Sequence, residues 1–298
     1  MTLVQMKYFQ AVCLYGSVTQ AAIKLHISQP AVSTALKDLE QEFGVHLFIK
    51  DNRRSYQLTK AGEIFKSFCE RTLSDVDHVS RIMQDISQQY QQVRLGITPM
   101  LAPLFMPHLY AKFKAYYPED VLYIEEAEIQ SLIERLDQKD LDIIVLRALP
   151  NFDAKYKRLS IANLEYAFCT SHTHRLAGKE NVSPEDVANE PLACFSQEHA
   201  PFSLPEDFYE RCGLQANVAY RTNQASTILS MIHSGTMSGF TYRILENQYP
   251  TLSFSSLCPP NYQEIALYWR KDNYILNNTQ KVVRCFQELK KEKVFEGK

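Results

Sequence analysis

The sequence predicts an α/β protein led by a small all-α domain, and three observations predict it. Residues 1–58 read as short helices followed by a basic hairpin. From Glu63 to Gln92 the chain carries neither Pro nor Gly, the pattern of one long helix. From Val93 onward, runs rich in Val, Ile and Tyr alternate with helical stretches, which implies a mainly parallel, covered sheet. A chain of 298 residues with 45% hydrophobic residues is long enough for more than one domain.

In the first part, Ser17-Val18-Thr19-Gln20 fits the capping-box pattern, and a short helix follows through Ala21, Ala22 and Leu25. His26-Ile27 makes the turn. Ser28 is placed to cap a second helix, in whose first turn Pro30 is tolerated. That helix spaces Val32, Leu36, Leu39 and Phe43 as one apolar stripe at helical period. Gln29, Ser33, Thr34, Lys37 and Gln41 lie off the stripe, a polar face suited to the hydrogen-bonding base edges of a DNA major groove. A plain solvated helix face is the alternative. The hairpin weighs against it: after the apolar anchor Leu47-Phe48, Lys50, Arg53 and Arg54 crowd together, placed to meet phosphate.

Charge agrees once the chain is divided. The whole carries a net −2, but residues 1–58 hold six Lys or Arg against four Asp or Glu. Residues 93–298 hold 22 against 25. Phosphate senses the local excess, because screening erases the distant deficit.

These residues resemble the LysR-type transcriptional regulators. The resemblance is carried by Phe9, Gly16-Ser17, Ala21-Ala22, Leu25, Ser28-Gln29-Pro30-Ala31-Val32-Ser33, Leu39-Glu40, Gly44, Leu47-Phe48 and Leu58-Thr59-Lys60-Ala61-Gly62. Two departures stand out. Lys50 occupies a place where the family commonly has Arg, so a planar fork becomes a point charge. The wing between Phe48 and Leu58 is about one residue longer than the common form. With the resemblance, Gln29, Pro30, Ser33, Thr34, Lys37, Lys50, Arg53 and Arg54 are the candidate DNA-binding residues of a winged helix-turn-helix over residues 1–58.

Residues 59–92 form the second part, with Thr59 as its cap. Phe65, Cys69, Thr72, Val76, Val79, Met83, Ile86 and Tyr90 recur at alternating spacings of four and three, a heptad seam. A helix packed on its own domain is the alternative; the charged outer face favours a dimer seam. The resemblance implies the same dimerisation, and with it a dimer or tetramer. Gln88, Gln89, Gln91 and Gln92 read as a polar hinge.

In the third part, 93–298, eight strands are expected: 93–97, 121–125, 142–146, 166–170, 192–196, 218–222, 238–242 and 265–269. Helices are expected at 104–116, 131–138, 206–212, 225–233 and 279–289. The resemblance implies two α/β lobes like those of periplasmic binding proteins, joined by crossing strands near 163 and 266. Lobe I would take about 93–162 and 267–298, and lobe II about 163–266. Leu141-Asp142-Ile143 and His174-Arg175-Leu176 match family motifs loosely, and Met237 stands where a second turn glycine would follow Gly235.

Ligands of open α/β sheets bind beyond the carboxyl ends of strands. That rule nominates Thr98-Pro99-Met100, Arg147, Ser196-Gln197, Thr222-Asn223 and Thr241-Tyr242, with Gln130 at a helix start. Of these, Thr98, Met100, Gln130, Arg147, Ser196, Gln197 and Asn223 are the candidate effector-binding residues. A cap or turn role is the alternative for each. Arg147 could meet an anionic effector, or form a salt bridge to Glu125, Glu126 or Glu128. The resemblance adds a small-molecule effector, double-stranded operator DNA and RNA polymerase as partners, and no cofactor.

Other classes fit poorly. There is no GxSxG, no glycine-rich phosphate loop and no HExxH, so an enzyme is not expected. A transport binding protein would share the lobes but not the DNA-binding helix. The absence of an apolar run near 18 residues and of a signal-peptide pattern leads us to expect a cytoplasmic location. Seven scattered cysteines with no CxxC pair suit a reduced compartment, with Cys194 and Cys212 raising a thiol sensor as a rival. His172 and His174 read as a surface pair.

Overall fold

The computed structural model describes residues 1–50, 56–87, 91–149, 155–195, 208–210, 212–271 and 274–295. The chain divides into two compact units, Met1–Ser87 and Gln88–Lys298.

In the first unit α1 spans Leu3–Tyr15, α2 Val18–Leu25 and α3 Gln29–Phe43. Thr2 and Gln5 form a reciprocal capping box on α1, and Gly16 ends the helix at φ 62°. The Ser17 hydroxyl accepts from the Gln20 amide at 3.4 Å, capping α2 as its pattern predicts. Ser28 differs from expectation. It holds the cap position of α3 with extended backbone, but its side chain makes no cap bond. Val32, Leu36 and Leu39 are buried as the stripe requires, against Phe9, Val12, Ala21 and Ala22. Phe43, the last member, is exposed, with its ring 5.4 Å from that of Phe65.

The wing strands β1 (Phe48–Lys50) and β2 (Tyr56–Leu58) pair antiparallel, Phe48 opposite Leu58. Helix α4 then runs from Lys60 to Ile86, capped by the Thr59 hydroxyl, which accepts from the Gly62 amide at 2.9 Å. The heptad seam splits along this helix. Phe65 and Cys69 are buried in their own unit's core, with the Phe65 ring 4.8 Å from Phe9. Val76, Val79, Met83 and Ile86 are exposed. The hinge residues Gln88 and Gln89, with Tyr90 of the seam, fall outside the described residues, and Gln92 already begins a strand.

In the second unit β3 (Gln92–Ile97), β4 (Val121–Glu126) and β5 (Ile143–Arg147) are parallel, with β3 between the other two. Helices α5 (Ala102–Tyr116) and α6 (Ile129–Asp137) connect them. The next two long strands, β6 (Tyr156–Ser171) and β11 (Leu252–Arg270), pair antiparallel from Arg270 opposite Tyr156 to Leu252 opposite Ser171. Between them in sequence come β7 (Asn181–Val182), α7 (Pro184–Val187), β8 (Leu192–Phe195), β9 (Val218–Thr222), α8 (Ala225–His233) and β10 (Gly239–Tyr242). Helix α9 (Asn277–Lys291) closes the fold.

The main sheet runs β10-β6-β11-β5-β3-β4, with β7 beside β11 and a separate parallel pair β8-β9. It is therefore mixed rather than mainly parallel: β11 opposes both β5 and β6, and β10 opposes β6. The expected strands at 166–170 and 265–269 are only segments of these two long ones. Helix α6 covers one face through Leu132 and Leu136, packed with Leu141, Ile144 and Tyr268. Helices α5 and α9 cover the other, where the Phe105 and Phe286 rings lie 6.3 Å apart.

One close approach in the first unit sets a strict requirement. A Cβ on Gly62 would sit 2.1 Å from the Leu47 carbonyl oxygen and 2.9 Å from a Leu58 methyl. That oxygen already accepts from the Thr59 amide at 3.1 Å, so it cannot retreat freely. Gly62→Ala should therefore destabilise the first unit by about 1–3 kcal/mol, the usual cost of overpacking. Denaturant melts of the whole chain with wild type as reference check this. An unchanged midpoint would mean α4 slides past the wing at no cost.

Candidate nucleic-acid interface and effector cleft

Helix α3 presents Gln29, Pro30, Thr34 and Lys37 exposed to solvent, with Ser33 half-buried among them. Gln29 Nε2 donates to Ser33 Oγ at 2.8 Å, so two of the nominated groups are joined to each other. Nothing of the protein covers this face among the described residues, because the opposite face holds the apolar stripe. Lys50 lies at the end of β1, and Arg53 and Arg54 fall outside the described residues.

A residue that sequence reasoning missed ties this helix to the wing. Glu40 Oε1 accepts from the Leu47 amide at 2.7 Å and the Phe48 amide at 3.3 Å, and its Oε2 lies 3.4 Å from His46 Nδ1. One carboxylate thus satisfies two backbone donors where the chain leaves α3 and begins β1. The Thr59 hydroxyl donates to the His46 carbonyl at 2.7 Å and holds the far side of the same turn. Leu39-Glu40 stands out in the sequence only as part of the family signature. One of three acids on the last turns of α3, beside Asp38 and Glu42, it gives no other sign.

In the second unit the nominated groups fall into three sets. Thr98 follows β3 directly, and its carbonyl accepts from the Leu101 amide at 2.9 Å, starting the turn into α5. Met100 lies in that turn, and its sulfur accepts from the Thr241 hydroxyl at 3.0 Å. Thr241 is fully buried on β10, so this contact joins the β3 turn to the strand beyond β6. Arg147 ends β5 near Tyr242. Burial pushes the Tyr242 phenol well above its ordinary range, and the Arg147 charge opposes the shift.

Gln130 and Asn223 are both exposed. Gln130 lies in the first turn of α6 and donates to Glu134 at 2.9 Å. Asn223 precedes α8, beside Thr222, whose hydroxyl accepts from the Gln224 amide. Ser196 and Gln197 lie outside the described residues. The structure thus places Thr98 and Arg147 at the carboxyl ends of β3 and β5, with Met100 against Thr241 and Arg147 near Tyr242. Of the proposed salt-bridge partners of Arg147, Glu125 pairs instead with Arg135.

His174 is not a bare surface residue. Its Nε2 lies 2.9 Å from the nearly buried Glu190, to which Arg175 Nε also donates at 2.8 Å. The Leu176 amide donates to His174 Nδ1, so Nε2 carries the ring proton and donates to Glu190. This cluster fastens the loop after β6 to the segment before β8. Cys194 is buried, while Cys212 is exposed. No helix among the described residues is long and apolar enough to cross a membrane.

The fold and these sites define a protein that binds DNA through one domain and carries a ligand-binding α/β domain. Residues 3–63 match the family model of the bacterial regulatory helix-turn-helix protein, lysR family, and residues 87–291 match the LysR substrate binding domain. The chain belongs to the LysR family of transcriptional regulators, and its business is regulation rather than catalysis. It is 26% identical to the regulatory protein NocR of Agrobacterium fabrum over 235 residues, 78% of this chain and 77% of that one. It is 23% identical to the transcriptional dual regulator OxyR of Escherichia coli, over 81% and 78% of the two chains. Among solved structures, CbnR complexed with its target DNA superposes with a TM-score of 0.73 at 18% identity, covering 97% of this chain and 99% of that one.

The Glu40 arrangement yields a direct expectation. Glu40→Ala leaves the Leu47 and Phe48 amides without their acceptor, at about 1–3 kcal/mol. It should lower both the stability of the first unit and the affinity for DNA. Glu42→Ala, removing a carboxylate that pairs with the chain's amino terminus, serves as control. Equal effects of the two in melting and anisotropy titrations would refute a special role for Glu40.

Proposed function

We propose that this regulator acts as a homodimer joined along α4 and reads operator DNA with α3. We propose further that it responds to a small anionic molecule held beyond the carboxyl ends of β3 and β5, beside Thr98, Met100 and Arg147. The exposed seam carries the first part of this reading. Val79 is 52% and Met83 58% exposed, with Val76 and Ile86 on the same stripe, a cost that a monomer in water would not relieve. Residues 59–92 then serve as the dimerisation helix between a DNA-binding domain at 1–58 and an effector domain at 93–298. The working part of the seam starts after Cys69, because Phe65 and Cys69 are already used by their own core.

On DNA, Gln29, Pro30, Ser33, Thr34 and Lys37 face the major groove, while Lys50, Arg53 and Arg54 meet the flanking backbone. In the effector domain, Thr98, Met100, Gln130, Arg147, Ser196, Gln197 and Asn223 line the ligand site, with Arg147 supplying the charge that selects an anion. RNA polymerase as a further partner and a cytoplasmic location complete the reading; both rest on the class of protein.

Two measurements test it. Val79→Asp with Met83→Asp places charge in adjacent seam layers and should cost several kcal/mol of association. Sedimentation should then show a smaller species than wild type, and an unchanged oligomer would dismiss the seam. For the effector, aliphatic and aromatic carboxylates are screened by thermal shift against the whole chain, since a ligand that binds only the folded state raises its melting temperature. Thr98→Val, which keeps shape and removes the hydroxyl, should weaken a hit by about 1 kcal/mol. Stabilisation by neutral polar compounds alone would argue against an anionic ligand.

A further inference from the structure

Gln29 and Ser33 stand four residues apart, one turn along the exposed face of α3, and their side chains are hydrogen-bonded. We infer that Ser33 is a positioning residue that fixes the Gln29 amide so that it reads adenine. The inference rests on the reading of α3 as the groove helix.

The argument is a count of donors. A free glutamine amide offers two N–H donors and one carbonyl acceptor, and it can turn over, so it matches more than one base edge. In this chain Nε2 donates to Ser33 Oγ at 2.8 Å, which commits one hydrogen. One donor and the Oε1 acceptor remain, side by side. In the major groove adenine presents the complement, the N7 acceptor next to the N6 donor. Guanine presents two acceptors, N7 and O6, and needs two donors that the tethered amide no longer has. Thymine and cytosine each offer a single polar group there. The tether therefore turns a permissive side chain into a selective one.

The surroundings agree. Gln29 is the first residue of α3, the end of a recognition helix that reaches base edges. Pro30 next to it has no amide hydrogen, and the Ser28 side chain makes no cap bond, so neither competes for the Gln29 amide. Ser33 is half-buried at the edge of the apolar stripe, which limits its own movement.

The test uses the full-length protein and a pool of random-sequence DNA duplexes, enriched by binding and sequenced. Wild type should show a base position that Gln29→Ala makes indifferent, and that position should be adenine. Anisotropy titrations on the selected duplex should then favour adenine over guanine there by about tenfold or more, the discrimination of one good bidentate pair. Ser33→Ala should cut that ratio to about threefold or less, while Ser33→Thr, which keeps the hydroxyl, restores it. Replacing the adenine by 7-deazaadenine, which lacks the N7 acceptor, should weaken wild type about tenfold and needs no protein variant. Guanine preferred at the Gln29 position, a ratio that Ser33→Ala leaves intact, or indifference to 7-deazaadenine would each overturn the inference. If Gln29→Ala changed no base preference while DNA binding persisted, the base-reading role of Gln29 itself would fail, a result distinct from failure of the tether.

Discussion

Strands β6 and β11, sixteen and nineteen residues long, run antiparallel beside each other for almost their whole length. At one end β11 continues into the sheet through β5, paired from Ile265 to Tyr268; at the other β6 continues through β10, paired from Tyr166 to Cys169. A single two-stranded ribbon therefore belongs to both halves of the α/β domain. Outside its two register shifts the ladder satisfies the facing backbone groups of both strands, so breaking it there would expose several donors at once. The positions of the candidate ligand groups follow from that ribbon. Arg147 is placed opposite Ile265 by the β5 register, Thr241 opposite Ala167 by the β10 register, and Thr98 emerges one residue past Ile97, which pairs with Val145.

The DNA-binding unit solves a comparable problem with fewer residues. Its two wing strands are three residues each and could not hold a fixed pose alone. Their pose comes from α3 and α4 instead. Glu40 reaches forward to the amides that open β1, and Thr59 reaches back to the carbonyls beside them. Gly62 lets the first turn of α4 press against the Leu47 carbonyl. Packing of Phe48 on Phe9 at 5.0 Å and on Tyr56 at 5.6 Å fills the remaining space. Net contributions of about 1 kcal/mol per hydrogen bond are small singly, yet all of these act on one turn. The wing strands and α3 are thereby set at a fixed spacing within the unit.

What the sequence discloses follows the range of the forces involved. Caps and stripes act within a few residues, so Thr59, Ser17 and the Val32-Leu36-Leu39 face are visible in the primary structure. Ser28 misleads because a Ser before a helix satisfies the pattern whether or not its hydroxyl turns inward. The first half of β6 and most of β11 are illegible for another reason. Their partner lies roughly a hundred residues away, and they carry Ser160, Asn163, Glu165, Gln263 and Glu264 inside the strands. Several of those polar groups are satisfied laterally: Ser256 donates to Glu165, Gln263 donates to Asn261 and Arg158 pairs with Glu264. No local alternation can announce such a strand. The mixed direction of the sheet was hidden with them. The seam shows the converse error: a heptad rule finds the apolar stripe of α4 but cannot tell that Phe65 and Cys69 face their own core. For the ligand site, strand ends are legible as a class, whereas the Met100–Thr241 contact needs the β10 register to be known.

The same ribbon limits how a ligand could act. A regular ladder resists bending, and it yields where residues are inserted and bonds are interrupted. In β11 and β6 the register shifts at two places, between Ser256 and Asn261 and between Ile265 and Ala266. The second lies against Ala162 and Ser160, where the ribbon leaves the β5 side of the sheet. The ribbon therefore resists bending least at these two short stretches. A ligand touching only one half would gain nothing from such motion, since only a difference in affinity between two arrangements can shift their populations. Groups from both halves must meet it. Met100 and Thr241, already in contact at 3.0 Å from opposite sides of the ribbon, satisfy that condition. A thioether is a weak acceptor for the fully buried Thr241 hydroxyl. A ligand oxygen that replaced the sulfur would satisfy that hydroxyl better than the thioether does. A preference of about 100-fold, roughly 2.7 kcal/mol, is enough to change which arrangement dominates.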